Sequence, residues 1–363
     1  MSLRVPFMSL VPGADAGAVR GAIDRVVARG WFILGPELEA FESEFAAASG
    51  SVHAVGVGTG TDALALSVRA LGIGTGDEVI TSPLSAAYSA LAIMMAGATP
   101  VFADIDADRL TMDPATTAAA VTSRTAAVMP VHLYGQPADM AGIMEVAERH
   151  GLAVIEDACQ AHLGSAGGRP VGTFGAAGAF SFYPTKNLGA LGDGGAVITA
   201  DPVVAAKLRR LRNGGQTDRY HHVEFGVNSR LDELQAAVLR ARLPLVAAWT
   251  ARRRALAASY RGALAAAHVV VPPECDGGHV YHLFPIRTKR RDAFQAHLAS
   301  RGIGTLVHYP IPLPRQPAMA GLASSPCPVA DAAANEVVSL PLHPALSDAD
   351  LRLVAEAVND WRP

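Results

Sequence analysis

The strongest constraint on the fold of this chain is a regular alternation of short apolar runs with longer helix-patterned segments between residues 52 and 199. Val52–Val57 reads as a strand and Asp62–Leu71 as a helix. The exchange repeats with a strand from Asp77 to Thr81, a helix Ala86–Ala96, strands Pro100–Asp104 and Thr125–His132, a helix Ala138–His150 and a strand Leu152–Glu156. Strands separated by helices predict a mostly parallel sheet covered on both faces. Ala177–Phe182 and Gly195–Thr199 flank a glycine-rich loop and read as an antiparallel pair. The stretch before Gly50 reads as an arm and a helix, with Leu38, Phe41 and Phe45 on one face.

Beyond Leu243-Pro244 the pattern changes. Arg252–Leu264, Asp292–Ser300 and Asp348–Val358 read as helices and His279–Arg287 as a strand. The division predicted is a large domain with an N-terminal arm over 1–245 and a smaller α+β domain over 246–363, and 363 residues suit two domains. With 50% hydrophobic and 17% charged residues, a disordered chain is excluded. A net charge of −3 gives no basis for an obligate nucleic-acid or anionic-membrane partner. Cys159, Cys275 and Cys327 lack both metal-ligand spacing and a disulfide framework, which predicts a reduced cytoplasmic protein with no metal site. The N-terminus has no signal-peptide core, and the apolar run Ala86–Gly97 is too short to span a bilayer.

The chemistry is concentrated at strand ends. Lys186 closes the run Phe180-Ser181-Phe182-Tyr183-Pro184-Thr185-Lys186 and opens into Gly189, Gly192, Gly194 and Gly195. Asp157 closes Val154-Ile155-Glu156-Asp157. Open α/β sheets bind ligands outside the carboxyl ends of their strands, so an amine and a carboxylate there share one crevice. The amine can form a Schiff base and the carboxylate can pair with a pyridinium nitrogen, which together suggest pyridoxal phosphate. A lysine with apolar flanks is desolvated and correspondingly nucleophilic. The plainer alternative for Asp157 is a helix cap. Gln160 and His162 lie three and five residues on, close enough for a ring hydroxyl and a substrate respectively, or else they are ordinary satisfied polar groups.

Val57-Gly58-Thr59-Gly60-Thr61-Asp62 is a strand end, a glycine turn and a helix start, suited to an anion. The alternative is a tight turn capped by Thr61. No Gly-Lys-Ser/Thr follows, and no acidic ribose partner marks a dinucleotide site. Ser181 lies on the strand leading to Lys186 and could reach the same anion. Downstream, Asn228 or Ser229 could cap a helix, which would leave Arg230 in its first turn, where the dipole disfavours a cation. His308-Tyr309-Pro310 opens a proline-stiffened loop.

Taken in order, Gly30–Pro36, Gly60–Leu64, Gly76–Ile80, Val131–Gln136, Glu156–His162, Phe180–Gly189, Asn228–Leu231 and Ser339–Leu342 closely resemble the DegT–DnrJ–StrS group of nucleotide-sugar aminotransferases over about Val5–Val358. The resemblance implies a fold-type I pyridoxal-phosphate enzyme with a mostly parallel seven-stranded sheet, which alternates between pyridoxal and pyridoxamine phosphate. Lys186 would hold the cofactor and move the proton, Asp157 would bind the pyridinium, and Gln160 the ring hydroxyl. Gly60, Thr61 and Ser181 would hold the phosphate, joined by Asn228 of the other subunit in a homodimer with shared sites. His162, Tyr183, Arg230, His308 and Tyr309 would approach the substrate. The expected reaction moves an amino group from an amino acid, glutamate by expectation, to a keto group of a nucleotide-linked sugar. A keto-cyclitol substrate and a non-catalytic regulatory relative are the alternatives. Two departures stand out. Ala86 occupies the place of the usual ring-stacking aromatic, with Tyr88 two residues on, and the loop near Pro314-Arg315 lacks a second histidine.

Overall fold

Seven strands build the main sheet in this computed structural model, which describes residues 3–264, 268–322 and 325–362. They are β1 (His53–Val57), β2 (Glu78–Thr81), β3 (Thr99–Phe102), β4 (Thr125–Met129), β5 (Ala153–Asp157), β6 (Ala177–Ser181) and β7 (Gly195–Thr199). Their order is β1-β7-β6-β5-β4-β2-β3, and only β7 runs against the rest. The predicted antiparallel pair is thus β6 and β7, with Ser181 opposite Gly195, while Val57 faces Gly195 from the other side. Parallel pairing of β5 with β6 sets Asp157 opposite Ala179. The carboxyl ends of β1, β5 and β6 therefore share one rim with the start of β7.

Alternating strand residues feed cores on both faces, as a doubly covered sheet requires. Phe180 and Ile198 join Phe41 and Phe45 on one side, while Val197, Ala179 and Ile155 join Leu64 and Val68 on the other. The helices Pro36–Ala48, Gly60–Ala70, Tyr88–Met95 and Met140–His150 match the predicted ones with shifted ends. Helices Ala16–Arg29, Pro202–Leu211 and Pro328–Glu336 were not anticipated individually.

The sequence-based reading fails in two local places. The helix expected from Asn228 or Ser229 starts at Glu233, and Arg230 precedes it. Residues 227–229 are instead drawn into extended pairing, with Val227 N donating to Leu211 O and Ser229 N to Arg212 O, both at 2.8 Å. The expected strand His279–Arg287 survives only as β8 (Phe284–Arg287). Tyr281 has φ 47°, and its N–H donates to His279 Nδ1 at 3.0 Å, so this part turns on itself.

After the turn Leu243–Leu245 comes the helix Val246–Ala263, longer than predicted. β8 pairs antiparallel with β9 (Val337–Leu340). Tyr260, Phe284, Phe294, Val338 and Val354 form a separate core there. The N-terminal arm crosses the predicted division, because Val5 bridges Ile303 and is buried in this C-terminal core together with Trp361.

Candidate active site

Asp157 ends β5 with its side chain at the rim and only 6% exposed. Ser89, in the first turn of the helix Tyr88–Met95, donates to Asp157 Oδ2 at 2.7 Å, and Cys159 N donates to Oδ1 at 3.2 Å. Among the described residues no arginine or lysine forms a salt bridge with it, and both of its hydrogen bonds come from neutral groups. Adjacent strand residues point to opposite faces. Glu156 accordingly turns away, accepting from the N–H groups of Gly172, Phe174 and Gly175 at 2.6, 2.7 and 3.0 Å, with His132 Nε2 at 3.1 Å. Of the two neighbouring carboxylates, one knits a loop and the other faces the crevice.

Lys186 follows a turn in which its N–H donates to Tyr183 O at 2.9 Å. Its amine pKa is lowered by burial, with neighbouring Cys159 and Asp157 opposing the shift. The desolvated, readily neutralised lysine expected from its flanks is therefore present. His162 departs from its expected place beside the substrate. It is fully buried against Phe180 and Phe182, with Nε2 2.8 Å from Ser181 O. That carbonyl can only accept, so Nε2 carries the hydrogen. Burial and then Lys186 lower the His162 pKa to about 3, so the ring is neutral and braces the strand under Ser181.

The glycine turn opens the helix Gly60–Ala70, whose cap is Thr59 rather than Thr61: Asp62 N donates to Thr59 Oγ1 at 3.0 Å. Helix geometry leaves the first-turn N–H groups of Gly60 and Thr61 without intrahelical acceptors, aimed where an anion is favoured. Ser181 stands against this turn so tightly that a Cβ on Gly60 would lie 2.6 Å from the Ser181 Cβ. A Cβ on Gly195 would lie 2.3 Å from Thr59 O. Ser229 is the unforeseen support. It accepts from Gly58 N at 2.9 Å and donates to Asp62 Oδ2 at 2.8 Å, tying the turn to residues 227–229. Its neighbour Asn228 is exposed.

The expected substrate side is partly assembled. Gln160 Oε1 accepts from Tyr134 N at 2.7 Å, and its Nε2 donates to Tyr309 Oη at 3.0 Å. Burial pushes the Tyr309 phenol up to about 12, with Asp157, Cys159 and Tyr88 adding to the rise. Tyr309 thus faces the carboxylate side of the crevice. His308 Nδ1 lies 2.9 Å from Ser339 Oγ, and its main-chain carbonyl accepts from Tyr134 Oη. Tyr183 and Tyr88 are 51% and 60% exposed at the rim. Arg230 is turned aside, donating to Asn213 Oδ1 at 3.0 Å. Ser89, not singled out in the sequence, carries no signal beyond lying in an apolar helix, whereas Ser229, expected as a helix cap, supports the glycine turn instead.

Pyridoxal phosphate requires a carboxylate for its ring nitrogen, an amine for its aldehyde and a cradle for its phosphate. Asp157, Lys186 and the Gly60–Thr61–Ser181 notch supply these in one crevice, so the residues present fit the group. Comparison with known proteins agrees. The profile of the DegT/DnrJ/EryC1/StrS aminotransferase family matches residues 15–359. The dTDP-3-amino-3,4,6-trideoxy-alpha-D-glucose transaminase of Streptomyces venezuelae is 49% identical over 364 residues, 99% of this chain and 96% of the relative. The crystal structure of S. venezuelae DesV in complex with a ketimine intermediate superimposes with a TM-score of 0.95 at 48% identity, covering 99% of both chains. NtdA of Bacillus subtilis, solved with bound pyridoxamine phosphate, matches with a TM-score of 0.91 at 31% identity over 99% of this chain and 85% of its own. On this evidence the chain belongs to the DegT/DnrJ/EryC1/StrS aminotransferase family, and its cofactor is pyridoxal phosphate.

Proposed function

We propose that the protein transfers an amino group from an amino-acid donor, glutamate, to the C3 keto group of a dTDP-linked deoxysugar. The observation that carries this reading is the meeting of a desolvated Lys186 with Asp157, a carboxylate fixed by Ser89 and, among the described residues, without a salt bridge. The 49%-identical relative, named as a transaminase of a dTDP-3-amino sugar, supports the choice of sugar and carbon.

When bound, pyridoxal phosphate supplies an electron sink for the bond broken at the donor carbon and carries the amino group between the two halves of the reaction. Asp157 holds a proton on the pyridine nitrogen by its negative charge. Lys186 Nζ, more readily neutral because burial lowers its pKa, would take the proton from the donor Cα and deliver it to the cofactor's carbon, and would run that transfer in reverse for the keto acceptor. Gly60, Thr61 and Ser181 anchor the phosphate end. Gln160, whose Nε2 donates to Tyr309 Oη, would stand beside the ring hydroxyl, and Tyr183, His308 and Tyr309 would border the sugar.

The same reading makes the protein a homodimer in which Asn228 reaches the partner's phosphate. Exposed Asn228, together with Trp31, Phe32, Tyr88, Met95 and Tyr183, which are 46–60% exposed, supports it. It divides the chain into a cofactor-binding part to residue 245 and a smaller part from 246, supported by the separate core around Tyr260 and Phe284. Free Cys159, Cys275 and Cys327 suit a cytoplasmic setting, and among the described residues no helix is long and apolar enough to cross a membrane. The test is to incubate the pyridoxamine form with 3-keto dTDP-deoxysugars, 4-keto isomers and keto-cyclitols and to identify the aminated product by mass spectrometry. Amination of the 4-keto isomer or of a cyclitol alone would refute the assignment.

A further inference from the structure

One residue at the rim is held in a conformation that tyrosine rarely adopts. Tyr134 lies in the short helical turn Leu133–Gly135 beyond β4, beside Asp157, whose carbonyl accepts from His132 N at 3.0 Å. Its φ of 60° is left-handed and unfavourable for a bulky side chain, so its surroundings must hold it there. Three bonds do so. Its N–H donates to Gln160 Oε1 at 2.7 Å, its carbonyl accepts from Leu283 N at 3.2 Å, and its hydroxyl donates to His308 O. Gly135 follows so closely packed that a Cβ there would lie 3.0 Å from Gln160 O and 2.9 Å from His282 N.

These contacts fix a direction. A main-chain N–H can only donate, so Gln160 must turn its Oε1 toward Tyr134. Its Nε2 then faces Tyr309 and donates to Oη at 3.0 Å. Tyr309 Oη accepts there, which leaves its own hydrogen to point elsewhere, and among the described residues no group accepts it. Burial pushes the phenol up to about 12, so that hydrogen is present at neutral pH. Tyr309 is only partly buried, and a ligand in the crevice can meet it. Its charged and polar neighbours Asp157, Cys159 and Tyr88 place the hydroxyl at the carboxylate end of the crevice. A chain of bonds that ends in a free donor calls for an oxygen that accepts. The ionised ring oxygen of pyridoxal phosphate is such an oxygen.

We propose that Tyr134 is a positioning residue that sets the polarity of this chain of hydrogen bonds, so that Tyr309 meets the ring oxygen of the bound cofactor as a donor, beside Gln160. The inference rests on pyridoxal phosphate as the cofactor, and on no particular amino acid or sugar. The Tyr134 N–H decides which end of Gln160 faces Tyr309, and its hydroxyl anchors the loop that carries Tyr309 through His308 O. One residue thus holds both ends of the arrangement.

The test is a spectrophotometric pH titration of the resting, cofactor-loaded protein and of its Tyr309→Phe and Tyr134→Phe variants, with thermal melts to establish that each is folded. A donor to the ring oxygen favours the form in which that oxygen bears its charge alone, after the linkage between cofactor and Lys186 has lost its proton. Tyr309→Phe should therefore raise the midpoint by about one pH unit, the tenfold effect of losing one hydrogen bond to a charged atom when water makes up part of it. Tyr134→Phe keeps the main-chain bond to Gln160 and frees only His308 O, so it should raise the midpoint by less. Of the other groups that face Lys186, His162, His282 and His308 are held neutral by burial and the Cys159 thiol is pushed up, so none of them changes charge near neutral pH, and Asp157 is common to all three proteins. An unchanged midpoint in folded Tyr309→Phe overturns the proposal, even if the acceptor sugar binds less tightly, because the hydrogen would then belong to the sugar. A lowered midpoint also overturns it, since Tyr309 would be the acceptor. No shift in folded Tyr134→Phe overturns the part assigned to Tyr134. A rise in both variants supports the proposal even if no amino acid reacts with the unmodified protein, a result that would reject the aminotransferase reading alone.

Discussion

Ser89 Oγ donates a 2.7 Å hydrogen bond to Oδ2 of Asp157, and with the longer bond from Cys159 N to Oδ1 it orients this carboxylate toward the crevice. Ser89→Ala should leave the fold intact and lower kcat by about tenfold, the effect of losing one hydrogen bond to a charged group of ~1.5–3 kcal/mol, partly made up by water. Asp157→Asn should cost more, about 2.7–4 kcal/mol of barrier, because a neutral amide does not stabilise a pyridinium. Steady-state kinetics beside cofactor titration separates the two effects. Equal turnover in Asp157→Asn and the unmodified protein would mean that the residue is only structural.

Borohydride treatment of the yellow protein should fix the pyridoxyl group to one peptide, the one that contains Lys186. Peptide mapping by mass spectrometry checks it. Lys186 has a lowered pKa, so its amine loses its proton below the pH at which an exposed lysine does. Recombination of the apoprotein with pyridoxal phosphate should therefore remain fast at pH values where a free lysine amine is almost wholly protonated.

A shared site predicts complementation. In a mixture of Lys186→Ala and Asn228→Asp chains, each homodimer is poor, but each heterodimer has one site with both lesions and one with neither. Random exchange should recover roughly a quarter of full activity, as two-fold symmetry dictates. Native mass spectrometry confirms the exchange. No recovery in confirmed heterodimers would place Asn228 in its own chain's site.

Glu233 accepts from the N–H groups of Gly35, Glu37 and Leu38 at 3.0, 2.9 and 2.8 Å, capping the helix Pro36–Ala48, which has no side-chain cap of its own. Removing it orphans three buried donors. Glu233→Ala should lower stability by about 3–5 kcal/mol, from ~1–3 kcal/mol per unsatisfied group with partial relaxation. Urea melts measure it, and a loss below 1 kcal/mol would mean that water replaces the carboxylate at no cost.

Buried histidines set the acid limit. His162 and His279 are depressed to about 3 and His308 to about 4, in each case first by burial. Between those values and the ordinary value near 6.5, the unfolded chain binds protons that the folded chain refuses, so stability is complete above pH 6.5 and falls as the pH drops. Each such group contributes a slope of up to about 1.4 kcal/mol per pH unit. Denaturant midpoints taken from pH 7.5 to 5 should fall steeply, and His162→Gln should flatten the curve.

Much of this was legible in the sequence because it depends on local pattern. β7 falls on Gly195–Thr199 as predicted, and Asp157 ends β5 where an apolar run stops at a charge, whereas Lys186, expected at a strand end, lies beyond a turn after β6 ends at Ser181. What escaped depends on distant partners. Glu233 is separated from Gly35 by 198 residues, and nothing near it announces a cap. Ser89 resembles any serine in an apolar helix until Asp157 is set beside it. His162 has the same neighbours in sequence whether it faces a substrate or Phe180, and only the packing decides. The helix start at Glu233 moved because residues 227–229 found main-chain partners at 211–213.

The burial of Val5 and Trp361 in one core has a consequence for how the chain is made. Synthesis runs from the N-terminus, and the main sheet can close once β7 has emerged. Val5 then has no bridge partner until Ile303 has followed. The segment at Val5 thus stays unpaired while the residues between it and Ile303 are made, and the smaller core closes after the main sheet has formed.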